Sequence, residues 1–168
     1  MRYSAKKTAF LGLCTAIAMV LAYVEILLPP LFTAIPGIKV GLPNIAIIFV
    51  LYRMGFKESV AVSFVRIVAV SLLFGNPMTF TYSIAGGALS LGIMALLKKI
   101  DLLSTVGVSV AGGVFHNIGQ ILTAMLLLGT AELGYYLAVL AISGTVSGIF
   151  VGLCASFAVR RIAVKGIK

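Results

Sequence analysis

Charged residues are unevenly spaced along this chain of 168 residues. Four long stretches carry none: they cover 17, 31, 30 and 27 residues, from Thr8 to Val24, Ile67 to Leu97, Leu102 to Ala131 and Leu133 to Val159. A helix needs about 20 mostly apolar residues to cross a bilayer. These stretches therefore predict membrane-spanning helices.

Helix breakers and charges divide the chain further into six predicted spans. Proline cannot continue a regular helix, so Pro29-Pro30 ends the first span and Gly75-Asn76-Pro77 the third. The second span has 12 residues, which cover roughly 18 Å of a hydrocarbon core roughly 30 Å thick. Part of the Pro/Gly-rich segment 29–43 must therefore complete that crossing, as a lid on the outer side. We predict an all-α, six-helix membrane protein, a single domain over 1–168, with spans at about 8–28, 43–54, 58–74, 78–97, 102–128 and 133–159.

Composition supports this membrane class. Hydrophobic residues make up 61% of the chain and charged residues 10%, whereas a soluble domain has about 25% charged residues. A soluble enzyme, a secreted disulfide scaffold and a disordered tail are excluded. A net charge of +9 would otherwise suggest nucleic acid as a partner. Because the charges lie at the ends of the predicted spans, we expect contact with membrane lipid and none with nucleic acid.

The basic residues also predict the orientation. With six spans, 11 of the 13 Lys and Arg residues fall on one side. They are Arg2, Lys6, Lys7, Arg53, Lys57, Lys98, Lys99, Arg160, Arg161, Lys165 and Lys168. Lys39 falls on the other side, and Arg66 falls within the third span. Since cytoplasmic loops carry the excess of Lys and Arg, both termini are predicted to be cytoplasmic.

Two groups of polar residues within the spans are candidate functional residues, because polar and ionisable groups at membrane depth are costly. Arg66 lies roughly 12 Å from the start of its span by helical rise, and Glu25 is the acid within reach. Arg66 either pairs with Glu25 or binds an anion. His116 and Gln120 share one helix face at i and i+4, while Asn117 is turned away by about 100°. These three side chains form either a polar substrate pocket or hydrogen bonds between helices.

The sequence lacks the residues that several activities need. Asp101 is its only aspartate, whereas prenyl-diphosphate chemistry commonly uses clustered aspartates that hold Mg²⁺. One histidine and two distant cysteines do not supply a set of metal ligands. A phosphate-binding loop of the G-x-x-x-x-G-K-[ST] type is also missing. We therefore expect no enzyme activity, no metal and no cofactor, and no energy supply from ATP bound by this chain.

Small residues recur at helical spacing in two spans. The sixth span carries Gly144, Gly148 and Gly152, and the first carries Ala5, Ala9, Gly12 and Ala16. Such stripes let helices approach closely in a membrane. Spacing leaves open whether each stripe packs inside the bundle or docks another subunit. The similar segments Ser83–Gly87 and Ser109–Gly113 predict close packing of spans four and five.

Two segments in order carry a resemblance to a known family. They are Pro36-Gly37-Ile38-Lys39-Val40-Gly41-Leu42-Pro43-Asn44 and His116-Asn117-Ile118-Gly119-Gln120, with Arg66, Gly75-Asn76 and Ala85-Gly86-Gly87 between them. Over about residues 8–160 the chain resembles the Gx transporter family, also named heptaprenyl diphosphate synthase component I. That family is similar to the substrate-binding S components of energy-coupling factor transporters. These have six helices, a lid after the first, and a face of small residues that docks a transmembrane coupling subunit driven by two ATPases.

The resemblance implies a subunit of the bacterial cytoplasmic membrane that captures a small, anionic, partly apolar metabolite from outside for uptake. The implied pocket residues are Lys39, Asn44, Arg66, Asn76, His116, Asn117 and Gln120, with Glu25 balancing charge and Ala9, Gly12 and Ala16 docking the coupling subunit. Two alternatives stay open. One is a non-catalytic membrane subunit that assists a polyprenyl diphosphate synthase. The other is a secondary transporter coupled to protons through Glu25 or His116.

Overall fold

The computed structural model describes residues 4–27 and 40–164, and within these ranges the chain is helical, without strands. Six α-helices follow one another: α1 Ala5–Leu27, α2 Asn44–Arg53, α3 Phe56–Phe74, α4 Pro77–Ile100, α5 Thr105–Leu128 and α6 Leu137–Arg161. A short 3₁₀ helix, Ala131–Tyr136, precedes α6. Each predicted span overlaps one α-helix, so the all-helical fold is confirmed. The lid predicted over 29–43 lies outside the described residues except for its last four.

In the described part of the chain, four segments are long and apolar enough to cross a membrane: Ala5–Leu27, Pro77–Ile100, Thr105–Leu128 and Ala131–Arg161. They indicate a multi-pass membrane protein. The helix α2 has 10 residues, which span roughly 15 Å by helical rise, half of the hydrocarbon core. The arrangement with six crossings therefore remains a prediction.

Local sequence explains where several helices begin and end. Asn76 caps α4, since its Oδ1 accepts a hydrogen bond from the Thr79 N–H at 2.8 Å, and Pro77 occupies the first turn, where no N–H is needed. The predicted fifth span starts three residues too early because Ser104 caps α5 through the Gly107 N–H. The predicted sixth span is interrupted at its start, because the chain first forms the 3₁₀ helix.

The short helix α2 forms the centre of the bundle. Six consecutive residues, Ala46–Leu51, are buried on every face of the helix. They contact buried residues of other helices, among them Val62, Met94 and Val108. A helix that is apolar all round is expected where it is enclosed by protein, and α2 is enclosed in this way.

Glycines allow close approach between α4, α5 and α6. A Cβ atom on Gly148 would lie 2.6 Å from the Cα of Val110, and one on Gly144 would lie 2.9 Å from the backbone of Gly113. A Cβ on Gly119 would lie 2.9 Å from the Cα of Gly86. The stripe in α6 therefore packs inside the bundle against α5, and the predicted close packing of α4 and α5 is present.

Basic side chains connect the helices at one end of the bundle. Lys7 of α1 and Glu58 of α3 form an ion pair, with Nζ to Oε1 at 2.7 Å. Lys98 donates to the Leu51 carbonyl at 2.5 Å, and Arg53 donates to the Val159 carbonyl. Cations at carbonyls near a helix C-terminus are favoured by the helix dipole. Some residues of the predicted cytoplasmic side therefore also hold the helices together.

Candidate functional site

A cavity with many polar lining residues lies at the opposite end of the bundle. Its volume is about 390 Å³. The C-terminal halves of α1, α3 and α5 and the N-terminal ends of α2 and α4 surround it, because successive antiparallel helices bring these ends together. Its polar lining residues are Glu25, Asn44, Arg66, Ser71, Thr79, Ser83, His116 and Gln120.

Five residues predicted from the sequence thus meet in one cavity, although they lie on four helices. Glu25 comes from α1, Asn44 from α2, Arg66 from α3, and His116 and Gln120 from α5. Apolar side chains such as Ile67, Val70 and Phe74 complete the wall. The site therefore combines charge, amide and imidazole groups with an apolar surface.

Arg66 and Glu25 line the same cavity, and the negative charge of Glu25 acts on the guanidinium. The Glu25 carboxylate also accepts a hydrogen bond from the Gly41 N–H, where the chain enters α2. Gly41 has φ +76, a left-handed conformation that glycine adopts without steric cost. Arg66 is half-buried, and its buried Nε has no hydrogen-bond partner among the described residues. Its guanidinium keeps hydrogen-bonding capacity for a further group.

His116 and Gln120 pack directly against α4 because Gly86 has no side chain. A Cβ on Gly86 would lie 2.8 Å from the His116 carbonyl oxygen, 2.9 Å from Gln120 Cγ and 3.2 Å from His116 Cε1. Even an alanine would therefore displace both residues. This contact positions the imidazole and the amide at the cavity wall.

The remaining predicted pocket residues have other surroundings. Asn117 is buried, and its Nδ2 donates to the Leu140 carbonyl of α6 at 2.8 Å. It lines a small cavity of about 20 Å³ that adjoins the main one and shares Gly41, Asn44 and His116 with it. Asn117 itself does not line the main cavity. Asn76 is exposed and caps α4. Lys39 lies outside the described residues.

The residues predicted to dock a partner lie on the outside of α1. Ala9, Gly12 and Ala16 are exposed, whereas Cys14 and Ala18 are buried against the bundle. A Cβ on Gly12 would meet nothing within 4 Å. The stripe in α1 is therefore uncovered in the described part of the chain, whereas the stripe in α6 packs against α5.

Three polar lining residues were missed by the sequence reasoning. Thr79 and Ser83 are four residues apart, so they share the face of α4 that continues to Gly86 and Gly87. That spacing is visible in the sequence and could have identified them. Ser71 of α3 carries no comparable signal. Among the described residues, no group of three His, Cys, Asp or Glu side chains could hold a metal ion.

Comparison with known proteins gives one family. The family model described as heptaprenyl diphosphate synthase component I matches residues 14–158. No curated protein and no solved structure matches the chain.

Proposed function

We propose that this chain, which belongs to the heptaprenyl diphosphate synthase component I family, is a membrane subunit that captures a small anionic metabolite for uptake. The family membership agrees with the resemblance seen in the sequence. The family description names a component of a synthase, and it does not by itself specify a catalytic role. The cavity residues are what favour capture of a small molecule.

The observation that carries the proposal is the convergence of Arg66, His116 and Gln120 on one cavity of about 390 Å³. Binding sites for small molecules are commonly concave, of about 300–1,000 Å³, and mostly apolar with a few polar groups. A permanently charged guanidinium needs an anion or another compensating group at membrane depth. We therefore propose that Arg66 binds an anionic group and that His116 and Gln120 orient the polar edge of the ligand.

Capture from outside is supported by the charges at the two ends of the bundle. Apart from Arg66, the basic residues that the structure describes lie at the end opposite to the cavity, and the positive-inside rule predicts that this end faces the cytoplasm. The cavity then belongs to the outer half of the membrane. The hydrogen bond from Gly41 to Glu25 joins the end of the proposed lid to the cavity wall, which also contains Asn44. We propose Lys39, which lies outside the described residues, as a second cation for the ligand.

Uptake needs an energy source that this sequence lacks. We propose that the exposed stripe of Ala9, Gly12 and Ala16 docks a transmembrane coupling subunit that works with ATPases. Small residues let two membrane helices approach closely, and α1 leaves this face uncovered by the described part of the chain. The protein would then be a multi-pass subunit of the bacterial cytoplasmic membrane with both termini inside.

The site is tested by the small molecules that accompany the protein. We would purify the tagged chain from its native membrane in mild detergent and identify released metabolites by mass spectrometry. Arg66→Ala and His116→Ala should each reduce the recovered ligand at least tenfold, because the charge or the orienting ring is lost. Arg160→Ala removes an exposed arginine at the other end and should leave recovery unchanged. Equal recovery from all three variants would contradict the site.

A second candidate function is favoured by the family description, which names a component of a synthase. In that case the chain assists a polyprenyl diphosphate synthase whose other subunit supplies the catalytic aspartates. Protein mass spectrometry on the same purified sample separates the candidates. A coupling subunit with ATPases would support uptake, whereas a prenyl synthase would support the second candidate. Uptake by the chain alone, dependent on pH and independent of ATP, would indicate a proton-coupled transporter.

A further inference from the structure

A second concavity lies between α3 and α4 at the periphery of the bundle. It consists of two adjoining parts of about 210 and 500 Å³, and Phe56 lines both. The first part runs along α4 from Ile84 to Gly92, and the second continues to Lys98 and Lys99. From residue 84 to residue 99 the groove extends roughly 22 Å by helical rise. We call this the α3–α4 groove.

The walls of the α3–α4 groove are apolar, and its floor is made of small residues. Phe56 and Phe64 are 50% and 57% exposed and form one wall. Gly92 on α4 leaves the space beside it open, because a Cβ there would meet nothing within 4 Å. Gly87 lets α4 pack closely against α3, since a Cβ there would lie 3.0 Å from Ile67 Cδ1. In a bilayer such a groove accepts an alkyl chain. Its length exceeds one leaflet, which is about half of a core roughly 30 Å thick.

The end of the groove is basic. Lys99 is exposed, and Lys98 uses one N–H for the Leu51 carbonyl, with its Nζ 5.1 Å from the Tyr52 ring centroid. An ammonium group has three donors, so both lysines can still donate to a phosphate. They lie at the end that the positive-inside rule assigns to the cytoplasm, where membrane lipids are anionic.

We propose that the α3–α4 groove is a binding site for one anionic phospholipid. One acyl chain lies along Phe56, Phe64 and Gly92, and the phosphate contacts Lys98 and Lys99. Charge complementarity favours this ligand, because a zwitterionic lipid would gain less from two cations at the headgroup. None of these five residues lines the cavity that contains Arg66 and His116, although Ile67 lines both concavities. The lipid proposal does not depend on the uptake proposal.

Lipid titration followed by native mass spectrometry tests the proposal. Phosphatidylglycerol and phosphatidylcholine with the same acyl chains would be added to the delipidated protein. We expect one phosphatidylglycerol to bind at least tenfold more tightly than phosphatidylcholine. Gly92→Leu fills the open part of the groove and should remove this tight site. Lys99→Gln should weaken phosphatidylglycerol about fivefold, the usual effect of one basic residue near anionic lipid.

Two control variants separate the groove from general lipid contact. Ala138→Leu adds similar bulk to an exposed position of α6, and Arg160→Gln removes a charge at the same end as Lys99. Neither should change the tight site. The proposal is overturned if Gly92→Leu binds like the unchanged protein, or if the two phospholipids bind equally. It is also overturned if geranylgeranyl diphosphate occupies the site sensitive to Gly92→Leu more tightly than phosphatidylglycerol.

Discussion

Neighbouring residues on α5 have different surroundings. His116 lines the main cavity, whereas Asn117 donates its Nδ2 proton to the Leu140 carbonyl of α6. Both side chains are polar and lie at membrane depth, so their chemistry alone does not separate them. The rotation of about 100° per residue does, since it directs one toward α4 and the cavity and the other toward α6.

We expect Asn117→Ala to reduce stability without changing ligand recovery. Loss of the amide removes a hydrogen bond between helices, which contributes about 1 kcal/mol to the free energy of unfolding. His116→Ala, one residue away, should reduce ligand recovery with a smaller effect on unfolding. Unfolding by sodium dodecyl sulfate in mixed micelles measures the stability, and mass spectrometry measures the ligand. If Asn117→Ala loses the ligand at unchanged stability, Asn117 belongs to the binding site.

The sequence was most informative about single residues on long helices. Arg66, His116 and Gln120 stand out because polar groups are rare in such apolar spans, and all three line one cavity. The Lys7–Glu58 ion pair could not be predicted in this way. Its partners are 51 residues apart, and both lie at helix ends, where charges are common. Only the packing of α1 against α3 brings them together.

At the scale of helices, the two stripes of small residues have different environments. The stripe in α6 faces α5 at distances that leave no room for a methyl group, whereas the stripe in α1 is exposed. Their spacing in the sequence is nearly the same. The spacing of small residues predicts that another helix can approach closely. It does not show which helix packs on the stripe, because that depends on the fold as a whole.

Gly148→Ala should destabilise the bundle. The new Cβ would lie 2.6 Å from the Val110 Cα, which belongs to the backbone of α5, so the two helices must separate. Overpacking of this kind costs about 1–3 kcal/mol of unfolding free energy. The matched variant Gly12→Ala meets no neighbouring atom and should be neutral or slightly stabilising, because alanine favours helix by up to about 1 kcal/mol. Equal unfolding curves for both variants would contradict the close packing.

The helix pattern was predicted well because charges and breakers mark helix ends in a membrane protein. The start of α6 was not, since the 3₁₀ helix Ala131–Tyr136 has no strong signal of its own beyond Gly129, which ends α5 at φ +63. The central position of α2 was also not predicted. Its short length indicated an incomplete crossing, whereas its enclosure by other helices depends on contacts distant in sequence.

For the whole molecule, the separation of charges predicts how the bundle is oriented. Among the described residues, the Lys and Arg side chains other than Arg66 lie at one end, and the polar cavity, which contains Arg66, lies at the other. If the chain crosses the membrane six times with its N-terminus inside, Lys57 faces the cytoplasm and Glu132 faces outside. Both residues are exposed and lie outside the interior of the long helices, so either position can carry a reporter cysteine.

Thiol labelling of these two positions tests the orientation and the number of crossings together. In a Cys14→Ala, Cys154→Ala background, a membrane-impermeant maleimide should label Glu132→Cys in intact cells. Lys57→Cys should react only after permeabilisation. The result at residue 57 tests whether α2 crosses the membrane. This test is needed because the 10 residues of α2 span only roughly half of the core. If α2 and α3 entered and left on the outer side, Lys57→Cys would not become reactive from the cytoplasm. Labelling of Lys57→Cys in intact cells would show that residue 57 lies outside. Either the orientation would then be the reverse of the predicted one, or α2 would not cross the membrane. In both cases the cavity would not face the outside as proposed.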